Sequence, residues 1–312
     1  MNVLKNFLFI LSLLFLFSCS DNTASPPEPK TTKTNNLPTI KNKHLNISVL
    51  IDLSNRIDNR IHPAGPSYSE RDIAIIQNLA DAVKNNIEAF GAFKAAARLN
   101  IYFHPEPQDP QMAAIAKQLT AECKSGTTPE AAKHNKQVFA SLDSNLKNGL
   151  AHIYTLAVQK KEYPGSNIWR FMKDEASYKC MEDTTTFRNI LVILTDGYLY
   201  DVNERHQNGN RFSYIERNFP HFTRFRDQRL LHTQFDQQNY GLEPIGKKLN
   251  GLEVMVMEVA PEEKYPQDYD IIKKYWEKWL KEMNVTHSAI IKTQQPEYAK
   301  QIIAKFLLKQ PL

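Results

Sequence analysis

The feature that most constrains the fold of this chain is the apolar run at residues 189–195, which reads NILVILT. Branched apolar side chains follow one another there without the alternation of a half-exposed strand. Such a run is typical of a central strand in a parallel sheet, because that strand is buried on both faces. The run leads into Asp196, and a second apolar run, NISVLID at residues 46–52, also ends in an acid, Asp52.

Strand and helix signals alternate along the rest of the chain. We expect further strands at 98–103, 252–259 and 288–291, of which 252–259 alternates and predicts one wetter face. Helical spacing of apolar residues predicts helices at 73–87, 112–122, 130–139, 146–159, 271–283 and 298–307. This order predicts an α/β fold with a doubly wound, mainly parallel sheet flanked by helices.

Residues 198–240 interrupt this alternation with an insert rich in arginine, tyrosine and phenylalanine. Segments this long in compact domains are usually functional or contain small helices of their own. One hypothesis places Arg205 and Arg211 on a recognition surface for an acidic group of a partner. The alternative is a solvated excursion, because acidic residues are interleaved with the arginines.

The amino terminus has the pattern of an export signal. A short positive region precedes an apolar stretch at residues 7–17, which is too short to span a bilayer at roughly 20 residues. The sequence LFSC at 16–19 resembles the lipobox of bacterial lipoproteins, in which the cysteine receives lipid. We therefore predict a signal peptide over 1–18, a lipidated Cys19 with a disordered tether over 19–44, and one folded domain over 45–312.

Export bears on the two remaining cysteines and on the class of partner. Cys123 and Cys180 can form a disulfide in an oxidising compartment, and two buried thiols are the alternative.

The net charge of +5 is small and dispersed, which argues against a nucleic-acid partner. We expect a protein anchored by lipid in the bacterial cell envelope.

Acidic side chains follow the two clearest strands. In open α/β sheets, ligands bind beyond the carboxyl ends of the strands. If the two strands are neighbours, Asp52, Ser54 and Asp196 converge there. Two close carboxylates require a proton or a cation between them, and oxygen ligands favour Mg²⁺ or Ca²⁺.

Over roughly residues 45–308 the chain resembles the von Willebrand factor A domain, a family with a doubly wound sheet and a metal-ion-dependent adhesion site. That site is built from D-x-S-x-S after the first strand, a threonine from a middle loop and a T-D-G acid. Asp52 and Ser54 match the first motif, and Thr195-Asp196-Gly197 matches the last. The resemblance implies a metal site made of Asp52, Ser54, Ser144 and Asp196.

Two positions depart from the family pattern. Arg56 stands in place of the second serine of the first motif, where its guanidinium would either displace the metal and pair with Asp196 or point to solvent. Ser144 takes the place of the middle-loop threonine, with Asp143 beside it as the alternative.

The sequence predicts a binding protein rather than an enzyme. It contains no G-x-G-x-x-G, P-loop or G-x-S-x-G pattern. We expect a membrane-tethered adhesion module that engages a protein or glycan partner at the carboxyl edge of the sheet through Mg²⁺ or Ca²⁺. The alternatives are a metal-free scaffold subunit of an envelope complex, in which Arg56 neutralises the acids, and a metal-dependent phosphoester hydrolase.

Overall fold

The computed structural model describes residues 37–161, 163, 166–201 and 205–312. The predicted signal peptide, Cys19 and the tether up to residue 36 lie outside the described residues. Asn36–Leu312 forms one compact unit. Residues 37–43, which we expected in the tether, pack against the fold: Leu37 is buried, and Asn86 donates to the carbonyl oxygens of Ile40 and Lys43. Within the described part, no helix is both long enough and apolar enough to cross a bilayer.

The described strands form a main sheet of six strands and a small sheet of three. In chain order they are β1 (His44–Ile51), β2 (Arg98–Phe103), β3 (Thr120–Glu122), β4 (Phe187–Leu194), β5 (Gln207–Asn208), β6 (Arg211–Phe212), β7 (Gly241–Leu242), β8 (Leu252–Val259) and β9 (His287–Lys292). The main sheet has the order β3-β2-β1-β4-β8-β9, and β3 is its one antiparallel strand. The predicted neighbours β1 and β4 pair along their whole length.

Helices connect these strands on both faces of the sheet. They are α1 (Tyr68–Lys94), α2 (Pro110–Ala116), α3 (Pro129–Lys160), α4 (Ile168–Arg170), α5 (Ala176–Lys179), α6 (Pro220–Phe225), α7 (Gln228–Gln234), α8 (Asp268–Glu282) and α9 (Pro296–Leu307). A 3-10 turn at Asn55–Ile57 follows β1, and a π-helical stretch at Phe171–Glu175 joins α4 to α5. The mixed α/β fold with a mainly parallel sheet is therefore confirmed.

The sheet separates two hydrophobic cores. On one face, Ile47, Val49 and Ile51 pack with α1, α3 and α9. On the other face, Leu191 and Ile193 pack with α8 and the insert. Because both faces are covered, the central strands are buried along their length, which explains the unbroken apolar run of β4.

The predicted division of residues 111–162 into three helices is wrong. α2 ends at Ala116, and Thr120–Glu122 forms the antiparallel edge strand β3. α3 runs unbroken from Pro129 to Lys160, because Leu142, Leu146 and Leu150 form one continuous buried stripe. Ser144 lies inside this helix and donates to the carbonyl oxygen of Ser141.

The wetter face expected for β8 is absent from the described strand, since all eight residues are buried. Its two acids have hydrogen-bond donors within the protein. Glu253 accepts hydrogen bonds from Arg188 at 2.7 and 3.1 Å. Glu258 accepts a hydrogen bond from Thr293 at 2.8 Å. Charged side chains are buried when such partners satisfy them.

The two cysteines of the folded domain are free thiols, so the disulfide that we considered does not form in this structure. Cys123 packs in the core that contains α1 and α3, whereas Cys180 packs in the core on the other side of the sheet. A disulfide requires Cα atoms within about 7 Å, and the intervening sheet keeps the two residues apart.

The insert contains the small helices α6 and α7 and the strands β5 and β6, and β7, directly after it, completes their three-stranded sheet. Its apolar side chains form an aromatic cluster against α8, in which Phe222 and Phe235 contact the ring of Tyr275. Trp276 and Trp279 of α8 are fully buried beside this cluster and serve the core. The insert is therefore anchored to the sheet by packing.

The continuity of α3 can be tested at Ser144. Proline there removes an intrahelical hydrogen bond and clashes with the preceding turn, so Ser144→Pro should lower the free energy of unfolding by about 3 kcal/mol or more. Ser144→Ala, at the same exposed position, should change it by less than about 0.5 kcal/mol. Urea unfolding measures both. A proline variant as stable as the alanine variant would place Ser144 in a loop.

Candidate functional site

Asp52 lies at the carboxyl end of β1, where the chain leaves the sheet. One carboxylate oxygen accepts a hydrogen bond from the Ser54 amide at 3.0 Å, and the other accepts one from the Thr195 hydroxyl at 2.9 Å. Burial raises the pKa of Asp52 to about 6; Arg56 opposes this rise, and the nearby Asp196 adds to it. The predicted meeting of the β1 and β4 ends therefore occurs, and the hydroxyl of Thr195, directly after β4, donates to Asp52.

Arg56 is buried beneath this edge, where it takes neither of the two directions that we expected. The Ser54 cap and the 3-10 turn direct its side chain into the protein. Its guanidinium donates to the Asp72 carboxylate at 2.7 Å and to the Leu194 carbonyl oxygen at 3.0 Å. Arg56 is 2% exposed, so it is inaccessible to a partner.

Asp72 of α1 is the counterion of Arg56. Its carboxylate also accepts a hydrogen bond from the Tyr154 hydroxyl of α3 at 2.9 Å. The Nε of Arg56 donates to the Asp52 carbonyl oxygen at 3.0 Å, so one guanidinium joins the ends of β1 and β4 to both helices. This network fixes the carboxyl edge from below.

The carboxylate of Asp196 faces the insert. One of its oxygens accepts a hydrogen bond from the Tyr198 amide at 3.1 Å, and the other accepts one from the Arg217 guanidinium at 3.0 Å. The Arg217 side chain lies over the Tyr198 ring and is 36% exposed. The pairing expected between Asp196 and Arg56 is thus made instead by an arginine of the insert.

A groove of about 690 Å³ opens above this edge. Asp52, Ser54 and Asp196 line its floor. Its walls include Tyr163, Tyr198, Tyr200, Ile215, Glu216 and Arg217. A second cavity of about 450 Å³ adjoins this groove, and both spaces are lined by Ile61, His62, Asp196 and Arg217.

The other predicted site residues lie apart from the groove floor. Ser144 is exposed on α3, so it is not the middle-loop ligand. Arg205 pairs with Glu216 at 3.0 Å on the rim of the groove and stacks on the Tyr214 ring. Arg211 is buried and pairs with Glu282 of α8, where it holds the insert to the domain and is unavailable to a partner.

The two acids of the carboxyl edge have contacts within the protein. Both oxygens of Asp52 and both oxygens of Asp196 accept hydrogen bonds, and a guanidinium is paired with Asp196. Ser144 is part of another surface. No group of three or more His, Cys, Asp or Glu side chains within the described ranges is placed to hold a metal ion.

A second buried acid, Glu258, lies at the carboxyl end of β8. Thr293 donates to its carboxylate at 2.8 Å, and Arg71 lies 3.8 Å from it and donates to Thr293. Its backbone adopts the left-handed region, with φ of 70°, which is uncommon for a residue with a side chain. Burial raises the pKa of Glu258 to about 7, and the charge of Asp72 adds to the effect.

Sequence reasoning missed Asp72, Arg217 and Glu258. Asp72 left a signal, because it falls in helical phase with the buried Ile76 and Leu79, and a carboxylate on an apolar face requires a partner. Arg217 belongs to the arginine-rich insert that the sequence singles out, but its contact with Asp196 depends on the path of the insert and is not predictable locally. Glu258 lies in an alternating strand, which predicts exposure rather than burial.

Comparison with protein-family models, with curated proteins and with solved structures gives no match. The functional argument therefore depends on the geometry of the carboxyl edge. There, two acids at neighbouring strand ends are held by arginines from below and from the insert, with an open groove above them.

The Arg56–Asp72 pair can be tested by removing one of its charges. Asp72→Asn keeps the shape of the side chain but leaves Arg56 buried without a counterion, so the free energy of unfolding should fall by about 3–5 kcal/mol. The Arg56→Met and Asp72→Asn double variant should lose less than the sum of the single variants, as measured by urea unfolding. Asp81→Asn, on the exposed face of the same helix, is the control. Additive single losses would contradict a direct pair.

Glu258 should make stability depend on pH. Because its folded pKa is about 7 and an unfolded glutamate titrates near 4.3, the protonated side chain favours the folded state, and this contribution is lost as pH rises from about 4.5 to 7. Relative to Glu258→Gln, the wild-type free energy of unfolding should fall by about 2–3 kcal/mol over that range. Glu297→Gln, at an exposed position, should leave the pH profile unchanged. A difference between wild type and Glu258→Gln that is independent of pH would refute the assignment.

Proposed function

We propose that this chain is a lipid-anchored binding module of the bacterial cell envelope, whose groove at the carboxyl edge of the sheet engages a protein or glycan partner. The proposal includes the relationship to the von Willebrand factor A domain that Asp52, Ser54 and Thr195-Asp196-Gly197 suggest. The observation that carries the proposal is the convergence of Asp52, Ser54 and Asp196 on the floor of one open groove.

The lining of the groove suits a partner with both apolar and polar groups. Tyr163, Tyr198 and Tyr200 present aromatic rings that also carry a polar hydroxyl, and Tyr200 is 52% exposed. Ligand sites commonly combine such surfaces with a few charged groups that set orientation. The exposed Ile61 lies at the same opening.

Arg217 is the residue best placed to recognise an anionic group of the partner. Its guanidinium is partly exposed, lies at the groove and bonds Asp196 at 3.0 Å. The contact with Asp196 uses one Nη of Arg217, and the fork of guanidinium donors suits a carboxylate presented by a partner. In this mode, which we call the metal-free mode, Arg217 of the insert recognises the partner without a metal ion. Arg56 only stabilises the floor of the groove.

Cation-dependent binding is the second candidate mode. It is favoured by one observation, the mutual repulsion of Asp52 and Asp196, which contributes to the raised pKa of Asp52. Mg²⁺ or Ca²⁺ would be held by Asp52, Ser54 and Asp196 if Arg217 left Asp196. In the metal-free mode Arg217 neutralises Asp196, whereas in the cation-dependent mode the metal ion does. A substitution of Arg217 therefore distinguishes the two modes.

Photo-crosslinking in cells tests the groove. A photo-reactive amino acid in place of the exposed Asn218, which lines the groove, should give a discrete adduct, whereas the same substitution at exposed Gln301 on α9 should not. Adding Arg217→Gln should abolish the adduct while changing the free energy of unfolding by about 1 kcal/mol or less, because the pair is partly exposed. Equal adducts at both positions, or none at Asn218, would refute groove binding.

Calorimetric titration separates the two modes. In the metal-free mode, Mg²⁺, Mn²⁺ and Ca²⁺ give no binding heat with the wild-type protein. Arg217→Gln frees Asp196, so this variant should bind a divalent cation if the oxygen ligands are otherwise arranged for one. Asp52→Ala in the same background is the control and should remove that heat. Saturable binding by the wild type would establish the cation-dependent mode instead.

A further inference from the structure

The amino edge of the sheet, opposite to the groove, carries a distinctive combination of exposed groups. It comprises the chain before β1, β2, β4, β8 and β9 and the carboxyl ends of α1, α8 and α9. Exposed lysines are distributed across it: Lys41, Lys94, Lys124, Lys247, Lys281 and Lys309. Two large apolar side chains, Phe93 and Leu308, are each 50% exposed and are each followed by one of these lysines.

The charge of this amino edge is available to an external partner. Within the described residues, Lys41, Lys94, Lys124, Lys247 and Lys281 form no ion pair. Among the described acids nearby, Glu122, Glu130 and Asp183 form no ion pair and offset part of this positive charge, whereas three others are paired. Glu182 pairs with Arg98, and Glu253 pairs with Arg188. Glu282 pairs with Arg211.

Contacts between neighbouring segments make this edge one fixed surface. The amide of Gly126 donates to the carbonyl oxygen of Phe93, which brings Lys94 and Lys124 together. Lys43 donates to the Thr184 carbonyl oxygen across the edge. Lys248 donates to the carbonyl oxygen of Glu282, which ties the loop before β8 to the end of α8.

The chain also enters the fold at this edge. Leu37, the first described residue, packs beside the carboxyl half of α1, and residues 38–43 lead to the start of β1. Only 17 residues, 20 to 36, separate Cys19 from Leu37 in the sequence. A chain anchored at Cys19 would therefore hold the amino edge, rather than the groove, close to the bilayer.

We propose that the amino edge binds the surface of an anionic bilayer, with its lysines on the lipid headgroups and Phe93 and Leu308 at the interface. Lysines near an anionic leaflet attract it electrostatically, and apolar side chains add interfacial burial. The groove then faces away from the membrane, toward partners. This inference adds an orientation to the proposed function, and it takes the anchor at Cys19 from that proposal.

The test uses Asn36–Leu312, the compact unit that contains both cores, so that its outcome is independent of whether Cys19 carries lipid. The probes are vesicles of phosphatidylcholine with 30% phosphatidylglycerol and vesicles of phosphatidylcholine alone. We expect co-sedimentation with the anionic vesicles at low salt that weakens steeply as salt is added, and none with the neutral vesicles.

Paired variants locate the contact. Lys94→Gln with Lys124→Gln should weaken vesicle binding by about tenfold or more, because each lysine near the leaflet contributes about 1 kcal/mol. Lys264→Gln with Lys292→Gln, which removes the same charge from exposed positions at the carboxyl edge, should leave binding nearly unchanged. Phe93→Ser should weaken it further.

Three results would overturn the proposal. The first is no binding to anionic vesicles at low salt, and the second is an equal loss in both lysine pairs, which would indicate dispersed charge. The third is a lipid-independent dimer in sedimentation velocity that Phe93→Ser dissociates, which would assign this edge to a second copy of the chain. If vesicle binding fails but the photo-crosslink at Asn218 in the groove is retained, the membrane orientation is refuted and the proposed function stands.

Discussion

The buried pair of Arg56 and Asp72 is the interaction on which the organisation of this protein depends. A guanidinium taken out of water is tolerated only when its charge is paired and its donors are satisfied. Here the counterion comes from α1, and the backbone acceptors come from the ends of β1 and β4. Loss of this pair would leave a charge under the carboxyl edge and release the turn that presents Ser54. The shape of the groove therefore depends on an ion pair that is buried beneath its floor.

The insert completes the same edge from above. Its aromatic cluster packs against α8, and this packing positions Arg217 on Asp196. Of the two neighbouring acids, which a family-type site would balance with a metal ion, Asp196 pairs with Arg217, whereas Asp52 lies 3.9 Å from an Arg56 whose counterion is Asp72. The outer arginine, Arg217, is the more exposed of the two, so in the proposed function it is the one that a partner would contact.

Much of this arrangement is predictable from the sequence, and the rest has identifiable physical reasons. The strand ends at Asp52 and Asp196 are predictable because each apolar run is a local pattern in the sequence. In the structure the two strand ends lie together. Ser144 was misplaced because residues 143–145 have the composition of a helix start, whereas the buried stripe on either side keeps α3 continuous. The side-chain directions of Arg56 and Arg217 depend on residues 16 and 21 positions away, and no local pattern encodes such contacts.

The central claim is that Arg217, rather than a metal ion, neutralises Asp196 at the carboxyl edge, above the buried pair of Arg56 and Asp72. A crystal structure of the domain grown with Mn²⁺, with anomalous data collected for manganese, tests this claim most directly. The account predicts Arg56 on Asp72 and Arg217 on Asp196, with no anomalous peak between Asp52 and Asp196. A manganese peak bonded to Asp52 and Asp196, with Arg217 turned away, would contradict it.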